Sequence, residues 1–185
     1  MNVAPAEATT SRSGYLWRRT RALFLRTVAS PVSPVWRHAL YVFLWAYVPG
    51  MVVTILAAMA LAASGVEAPA VPRLSWRRAG WAILVAPLIE TVTLAAIVWI
   101  SSVWIRSWST RAVLVALVAG LLHALESPFR FFGPAWGFFV MACGYQAWTN
   151  TSMWRAYAVA ILPHTLANAL TFSLLWGIDA FAPRT

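Results

Sequence analysis

The chain has few charged or ionisable side chains. Its 185 residues include no lysine, one cysteine, three histidines and five acidic residues, whereas 61% are hydrophobic and twelve are tryptophan. A soluble domain of this size has no means of burying so much apolar surface, but a chain embedded in a bilayer does not need to. The lone Cys143 excludes an internal disulfide. Because it lies inside an apolar run, we expect it to be a small buried hydrophobe.

The net charge of +9 comes from fourteen arginines, most of which flank apolar runs. Arginines in such places meet lipid headgroups, so the pattern favours a lipid bilayer as partner and no nucleic acid. Residues 1–37 precede the first apolar run, which starts too late and lasts too long to belong to a cleavable signal peptide. We expect residues 1–11 to be disordered. Residues 14–28 mix apolar side chains with arginines, which predicts a basic interfacial helix on an anionic membrane surface. A solvated basic tail is the alternative.

Five apolar stretches within residues 38–185 predict an all-α, polytopic transmembrane helical bundle. They cover about 39–63, 79–105, 111–125, 135–148 and 153–178. A crossing needs about 20 residues, so the third and fourth stretches are brief, and a re-entrant segment is the alternative there. Tryptophans cluster near the predicted helix ends, as in the aromatic belts of membrane proteins. A cytoplasmic N-terminus would place nine arginines on that side and five on the other, which the positive-inside rule favours.

Four polar residues are predicted at bilayer depth, where an ionisable group costs several kcal/mol and therefore indicates a function. They are Glu90, His123, His164 and Asn168. His164 and Asn168 are four residues apart and share a helical face. At about 1.5 Å rise per residue, all four lie roughly 15–22 Å from the same membrane face. Three helices would thus bring a carboxylate, two imidazoles and an amide together near the midplane.

This set of side chains suits hydrolysis. A carboxylate beside an imidazole activates water as a general base, while a second imidazole and an amide can donate to an oxyanion. Pro87 and Pro163 precede Glu90 and His164 closely and remove backbone hydrogen bonds, which favours a hydrated cavity. Two histidines and one glutamate could instead hold a zinc ion with an open coordination position. The chain has no HExxH motif, and the spacing does not choose between the two mechanisms.

Three segments resemble the motifs of the CPBP family, the type II CAAX prenyl endopeptidase-like or glutamic intramembrane proteases, also called Abi proteins. They are APLIETVTLAA at 86–96, GLLHAL at 120–125 and ILPHTLANAL at 161–170. The family carries EExxxR, FxxxH and HxxxN or HxxxD on successive helices. The resemblance covers about residues 76–177 and rests on the order, spacing and helical placement of all three motifs.

The resemblance implies an endopeptidase that cleaves a membrane-associated protein or peptide without a metal cofactor, in the inner membrane of a bacterium. Glu90 and His123 would activate the attacking water, and His164 with Asn168 would form the oxyanion hole. An all-arginine basic complement also suits a GC-rich bacterial source.

Three positions depart from the family pattern: Thr91 replaces the second glutamate, Ala95 the arginine and Ala119 the phenylalanine. A degenerate, non-catalytic member acting as an immunity factor, chaperone or scaffold is therefore the alternative. A small transporter would also explain polar residues at the midplane, but no internal repeat is evident. Glu126, three residues after His123, is expected to cap its helix or pair with Arg130. Support of His123 is the other interpretation.

Overall fold

The structure, a computed structural model, describes residues 12–66 and 75–181, with side chains described for 14–66 and 75–177. Residues 1–11, which we expected to be disordered, lie outside these ranges. Within them all regular structure is helical. The elements are α1 (Arg12–Thr27), α2 (Val35–Ala63), α3 (Trp76–Gly80), a π-helical turn (Trp81–Val85), α4 (Ala86–Ser101), α5 (Trp108–Ala124), a 3₁₀ turn (Pro128–Arg130), α6 (Phe132–Thr149) and α7 (Met153–Phe181). The predicted all-α class is confirmed.

Three helical segments are long and apolar enough to cross a membrane: Val35–Ala63, Trp76–Ser101 and Met153–Gly177. The middle one is continuous through α3, the π-helical turn and α4. The other two predicted segments form the hairpin of α5 and α6, whose helices have 17 and 18 residues. At 1.5 Å per residue they are about 25–27 Å long, just below the roughly 30 Å of a hydrocarbon core.

The outer surface of the bundle is apolar. Only 22–28% of the residues in each membrane-spanning window are buried inside the protein. Leucine, valine and isoleucine side chains therefore face outward, as Leu56 and Leu84 do at 60% and 66% exposure. Trp76, the first residue of α3, and Trp154, the second residue of α7, are 80% and 81% exposed. This surface suits acyl chains with tryptophan at the headgroup level, which is compatible with a membrane protein.

Helix α6 is the centre of the bundle and packs against α2, α4, α5 and α7. Every residue from Val140 to Tyr145 is buried. Gly144 permits this close packing, since a Cβ there would lie 2.7 Å from a Val42 methyl on α2 and 3.0 Å from a Val159 methyl on α7. The central position of α6 brings the helices that carry the candidate site within reach of one another.

His38 joins the first part of the chain to α6. Its ring is fully buried, with Nε2 3.0 Å from the Val28 carbonyl oxygen and Nδ1 2.6 Å from the Trp148 indole nitrogen. A carbonyl only accepts and an indole N–H only donates, so His38 is the neutral tautomer with its proton on Nε2. His38 was not among the polar residues predicted at bilayer depth, and the sequence did not indicate this buried contact.

Candidate functional site

The centre of the candidate site is a contact between a carboxylate and an imidazole on different helices. Glu90 Oε2 on α4 lies 3.3 Å from His164 Nε2 on α7, with side-chain exposures of 30% and 8%. Glu90 Oε2 is buried without a hydrogen-bond partner, so the two side chains are at ion-pair distance without a hydrogen bond between them. His164 Nδ1 is also buried without a partner. Buried polar atoms are usually satisfied, and both side chains therefore have hydrogen-bonding capacity left for water or a substrate group.

His123 approaches from α5 and is oriented by its own helix. Its Nδ1 lies 2.8 Å from the carbonyl oxygen of Ala119. Because the carbonyl can only accept, Nδ1 is the donor and the neutral ring keeps a lone pair on Nε2. The ring of Phe138 packs against both histidines, with its centroid 6.0 Å from that of His123 and 5.2 Å from that of His164.

The four predicted site residues lie at similar depths along their helices, as expected for side chains that share one site. Glu90 precedes the end of α4 by 11 residues, and His164 follows the start of α7 by 11. His123 and Asn168 each follow the first residue of their helices by 15. At 1.5 Å per residue, all four lie roughly 16–23 Å from the face that holds these helix ends.

Asn168 is engaged with the backbone of the helix that carries Glu90. Its Nδ2 donates to the carbonyl oxygen of Ala82 at 2.7 Å. In the π-helical turn hydrogen bonds run from residue i to i−5, as the N–H of Ala86 to the oxygen of Trp81 does. The next donor in that register would be residue 87, and Pro87 has no N–H. The carbonyl of Ala82 therefore lacks a helical partner, and Asn168 supplies one from α7.

The same arrangement occurs a second time in the bundle. Pro49 inside α2 removes the donor for the carbonyl of Trp45, four residues earlier. The indole nitrogen of Trp136 on α6 donates to that carbonyl at 2.8 Å. Two proline-freed carbonyls in membrane-depth helices are thus satisfied by side chains of neighbouring helices, as a lipid environment requires.

The positions that depart from the family pattern lie at helix contacts. Thr91, Ala95 and Ala119 are 1%, 4% and 7% exposed. A glutamate at position 91 and an arginine at position 95 would each need a buried partner in this bundle. Small side chains need none, which explains why the helices can pack closely here.

Glu126 and Arg130 form an ion pair beyond the end of α5 and lie outside the buried pair of Glu90 and His164. The pairing of these two residues was one of the two expected roles of Glu126, and it is confirmed. Their side chains are 67% and 53% exposed. Helix α5 ends at Ala124, one residue after His123, so the turn at 125–131 follows His123 closely in the chain.

No group of three His, Cys, Asp or Glu side chains with metal-binding proximity occurs among the described residues. Glu90 and His164 are in contact, and Phe138 packs against both His123 and His164. The structure therefore assembles a carboxylate–imidazole pair with a second imidazole nearby. A water molecule can be polarised by such a pair without a metal.

Comparison of the chain with protein-family models, curated proteins and solved structures gives no match. The resemblance to the CPBP family therefore stays a prediction from the three motifs.

Proposed function

We propose that the protein is an intramembrane endopeptidase that hydrolyses a peptide bond of a membrane-associated protein or peptide. The observation that carries this proposal is the contact of the Glu90 carboxylate with His164 at 3.3 Å, with an oxygen buried and unpartnered inside an apolar bundle. A carboxylate at this depth is costly. A reaction that uses it is the simplest reason for its presence, and the resemblance to glutamic intramembrane proteases points to the same residue.

In the proposed reaction Glu90 takes a proton from a bound water, and the resulting hydroxide attacks the carbonyl carbon of the scissile bond. The proton then passes from Glu90 to the nitrogen of the leaving amine as the C–N bond breaks. The lone pair on His123 Nε2 accepts a hydrogen bond from the water. The Nε2–H of His164 orients the Glu90 carboxylate, and the catalytic alignment tightens when substrate binds.

The oxyanion requires donors within reach of the same carbonyl. Asn168 keeps one for this purpose, because its amide nitrogen carries two N–H groups and the Ala82 carbonyl takes one of them. The resemblance also assigns His164 to the oxyanion hole, and the Nε2–H of neutral His164 can donate there once Glu90 has taken up the proton of the water. No metal or other cofactor enters this reaction scheme. Zinc held by Glu90 and the two histidines is the alternative mechanism.

The experiment that tests the proposal compares Glu90→Gln with Glu126→Gln. Both replace a glutamate by its neutral isostere, but Glu126 lies on the surface in its ion pair with Arg130. Cells that express wild type or either variant at equal membrane levels are labelled at new protein N-termini. We expect N-termini that depend on the wild type to vanish with Glu90→Gln, since general-base catalysis contributes about 10²–10⁴-fold. They should persist with Glu126→Gln.

A non-catalytic scaffold is the second candidate, and one observation favours it. The Asn168 amide is bonded to the backbone of another helix and so has a structural task that needs no catalysis. A scaffold predicts no wild-type-dependent N-termini and normal partner binding by Glu90→Gln. Removing the carboxylate would then leave stability unchanged or slightly raised, because its desolvation cost disappears. Such a result would overturn the endopeptidase proposal.

We also propose that the protein lies in the plasma membrane of a bacterium, with the N-terminus in the cytoplasm. The support is the apolar outer surface of the helices and the distribution of arginines, nine against five, across the predicted faces. Membrane fractionation of the expressing cells, with reporter fusions at each terminus, tests the location and the orientation.

A further inference from the structure

Helix α1 has one apolar face and one basic face. Leu16 and Leu23 are seven residues apart, as are Trp17 and Phe24, so two adjacent apolar columns run along the helix. Thr20 lies between these columns. The remaining circumference holds Arg18, Arg19, Arg21 and Arg26, together with Tyr15, Ala22 and Leu25. The helix contains no acidic residue.

Only the C-terminal part of the apolar face contacts the protein. The Phe24 ring packs on Trp45 and Phe139, with centroid separations of 5.3 and 6.2 Å. The hydroxyl oxygen of Thr27 accepts a hydrogen bond from the Trp45 indole at 3.1 Å. The rest of the face is open: Leu16, Trp17 and Leu23 are 55%, 68% and 53% exposed.

The contacts of Phe24 and Thr27 with Trp45 determine the depth of α1 relative to the membrane. Helix α2 has 29 residues, and Trp45 is ten residues after its first residue. The 18 residues after Trp45, up to Ala63, rise about 27 Å, close to the roughly 30 Å of a hydrocarbon core. Trp45 therefore lies at the boundary between acyl chains and headgroups, and the Phe24 end of α1 lies at the same level.

We propose that α1 lies in the headgroup layer, with its apolar columns in the acyl boundary and its arginines bound to the phosphates of anionic lipids. Charge complementarity selects the lipid class, since α1 has five arginines and no acid and would face a leaflet whose anionic lipids carry the opposite charge. The exposed apolar side chains need an apolar partner at that level, and acyl chains are the partner present there. This proposal does not depend on the proposed catalytic function.

The test measures the depth of a spin label on the full-length protein in nanodiscs, on a Cys143→Ala background that removes the only native thiol. Thr20→Cys places the label between the apolar columns, and Ala22→Cys places it on the opposite, basic side. Both positions are exposed, so they form a matched pair. Accessibility to oxygen reports the acyl region, and accessibility to a water-soluble nickel chelate reports water.

In nanodiscs of phosphatidylcholine with phosphatidylglycerol, we expect the Thr20→Cys label to favour oxygen at a depth of about 5–10 Å and the Ala22→Cys label to favour the nickel chelate. In phosphatidylcholine alone, or after Arg18→Gln, Arg19→Gln and Arg21→Gln together, the contrast between the two labels should shrink. The expected loss is about fivefold in the equilibrium constant for docking per arginine.

Two results would overturn the proposal. One is equal nickel accessibility of both labels in anionic nanodiscs, which would make α1 a solvated helix. The other is a Thr20→Cys label that is shielded only when a protein or nucleic acid from the cell is added, which would make the open face a docking site for that macromolecule. A label depth that ignores lipid charge would contradict the assignment to anionic lipids.

Discussion

The bond between Asn168 and the Ala82 carbonyl leads to a prediction that needs no substrate. Asn168 supplies the hydrogen-bond donor that Pro87 lacks. A residue with a backbone N–H at position 87 should therefore remove the need for Asn168 as a donor to the Ala82 carbonyl. Pro87→Ala restores an N–H at position 87, in the i−5 register that the N–H of Ala86 already uses. The decrease in the free energy of unfolding caused by Asn168→Ala should therefore depend on the residue at position 87.

The magnitude follows from the environment of the bond. It joins two helices at membrane depth at 2.7 Å, and its loss leaves a part-buried carbonyl without a donor. Interhelical side-chain hydrogen bonds in membranes contribute about 0.6–2 kcal/mol, and an unsatisfied buried group costs about 1–3 kcal/mol. We expect Asn168→Ala to reduce the free energy of unfolding by about 1–2 kcal/mol with Pro87 present, and by less than about 0.5 kcal/mol with Pro87→Ala.

The assay is unfolding of the purified full-length chain in mixed micelles, titrated with dodecyl sulfate and followed by tryptophan fluorescence, for the wild type, both single variants and the double variant. Any cost of the space left by the shorter side chain is the same in both backgrounds and cancels in the cycle. Pro49→Ala is the matched control, because it restores an N–H in α2, where Trp136 covers the freed carbonyl of Trp45. Equal costs of Asn168→Ala with Pro87 and with Pro87→Ala would refute the reasoning.

Three further predictions concern packing, the buried histidine and metal dependence. Gly120→Ala should lower the free energy of unfolding by about 1–3 kcal/mol, because a Cβ there would lie 2.9 Å from Phe131 and Ala135 atoms. Gly137→Ala, where a Cβ meets nothing within 4 Å, should be neutral or stabilising in the same titration. Trp148→Phe should cost about 1–3 kcal/mol by leaving His38 Nδ1 without a donor, and a wild-type unfolding midpoint would contradict this. Cleavage of membrane substrates should continue in a chelator with no stoichiometric zinc by elemental analysis, and its loss with recovery on added zinc would favour the metal mechanism.

The helices were predictable because length and apolar content are local properties of the chain. The run at 153–178 matches α7 (Met153–Phe181), and the basic segment at 14–28 matches α1 (Arg12–Thr27). The start of α2 was predicted at 39 and lies at Val35. An apolar criterion rejects Arg37 and His38, although the His38 ring is fully buried. Whether a polar side chain is buried depends on partners far away in sequence.

The depth of the four site residues could be counted along the helices, but their partners could not. Pairing depends on how each helix is rotated about its axis, and that rotation is set by contacts between helices. The Glu90–His164 contact, the packing of Phe138 against both histidines and the Asn168–Ala82 bond are all of this kind. Pro87 was expected to leave one backbone carbonyl without a hydrogen bond. The sequence did not indicate that, because of the π-helical turn, this carbonyl is that of Ala82, or that Asn168 donates a hydrogen bond to it.

The hydrogen bond between His38 and Trp148 has a consequence for the order in which the protein is assembled. The two residues are 110 positions apart, so His38 enters the membrane long before its donor is made. At about 5–20 residues per second, the ribosome needs roughly 5–20 s to reach Trp148. During that interval the Nδ1 of His38 has no indole to satisfy it and Phe24 has no Phe139 to stack on. The first helices of the chain therefore complete these contacts only after α6 has been made.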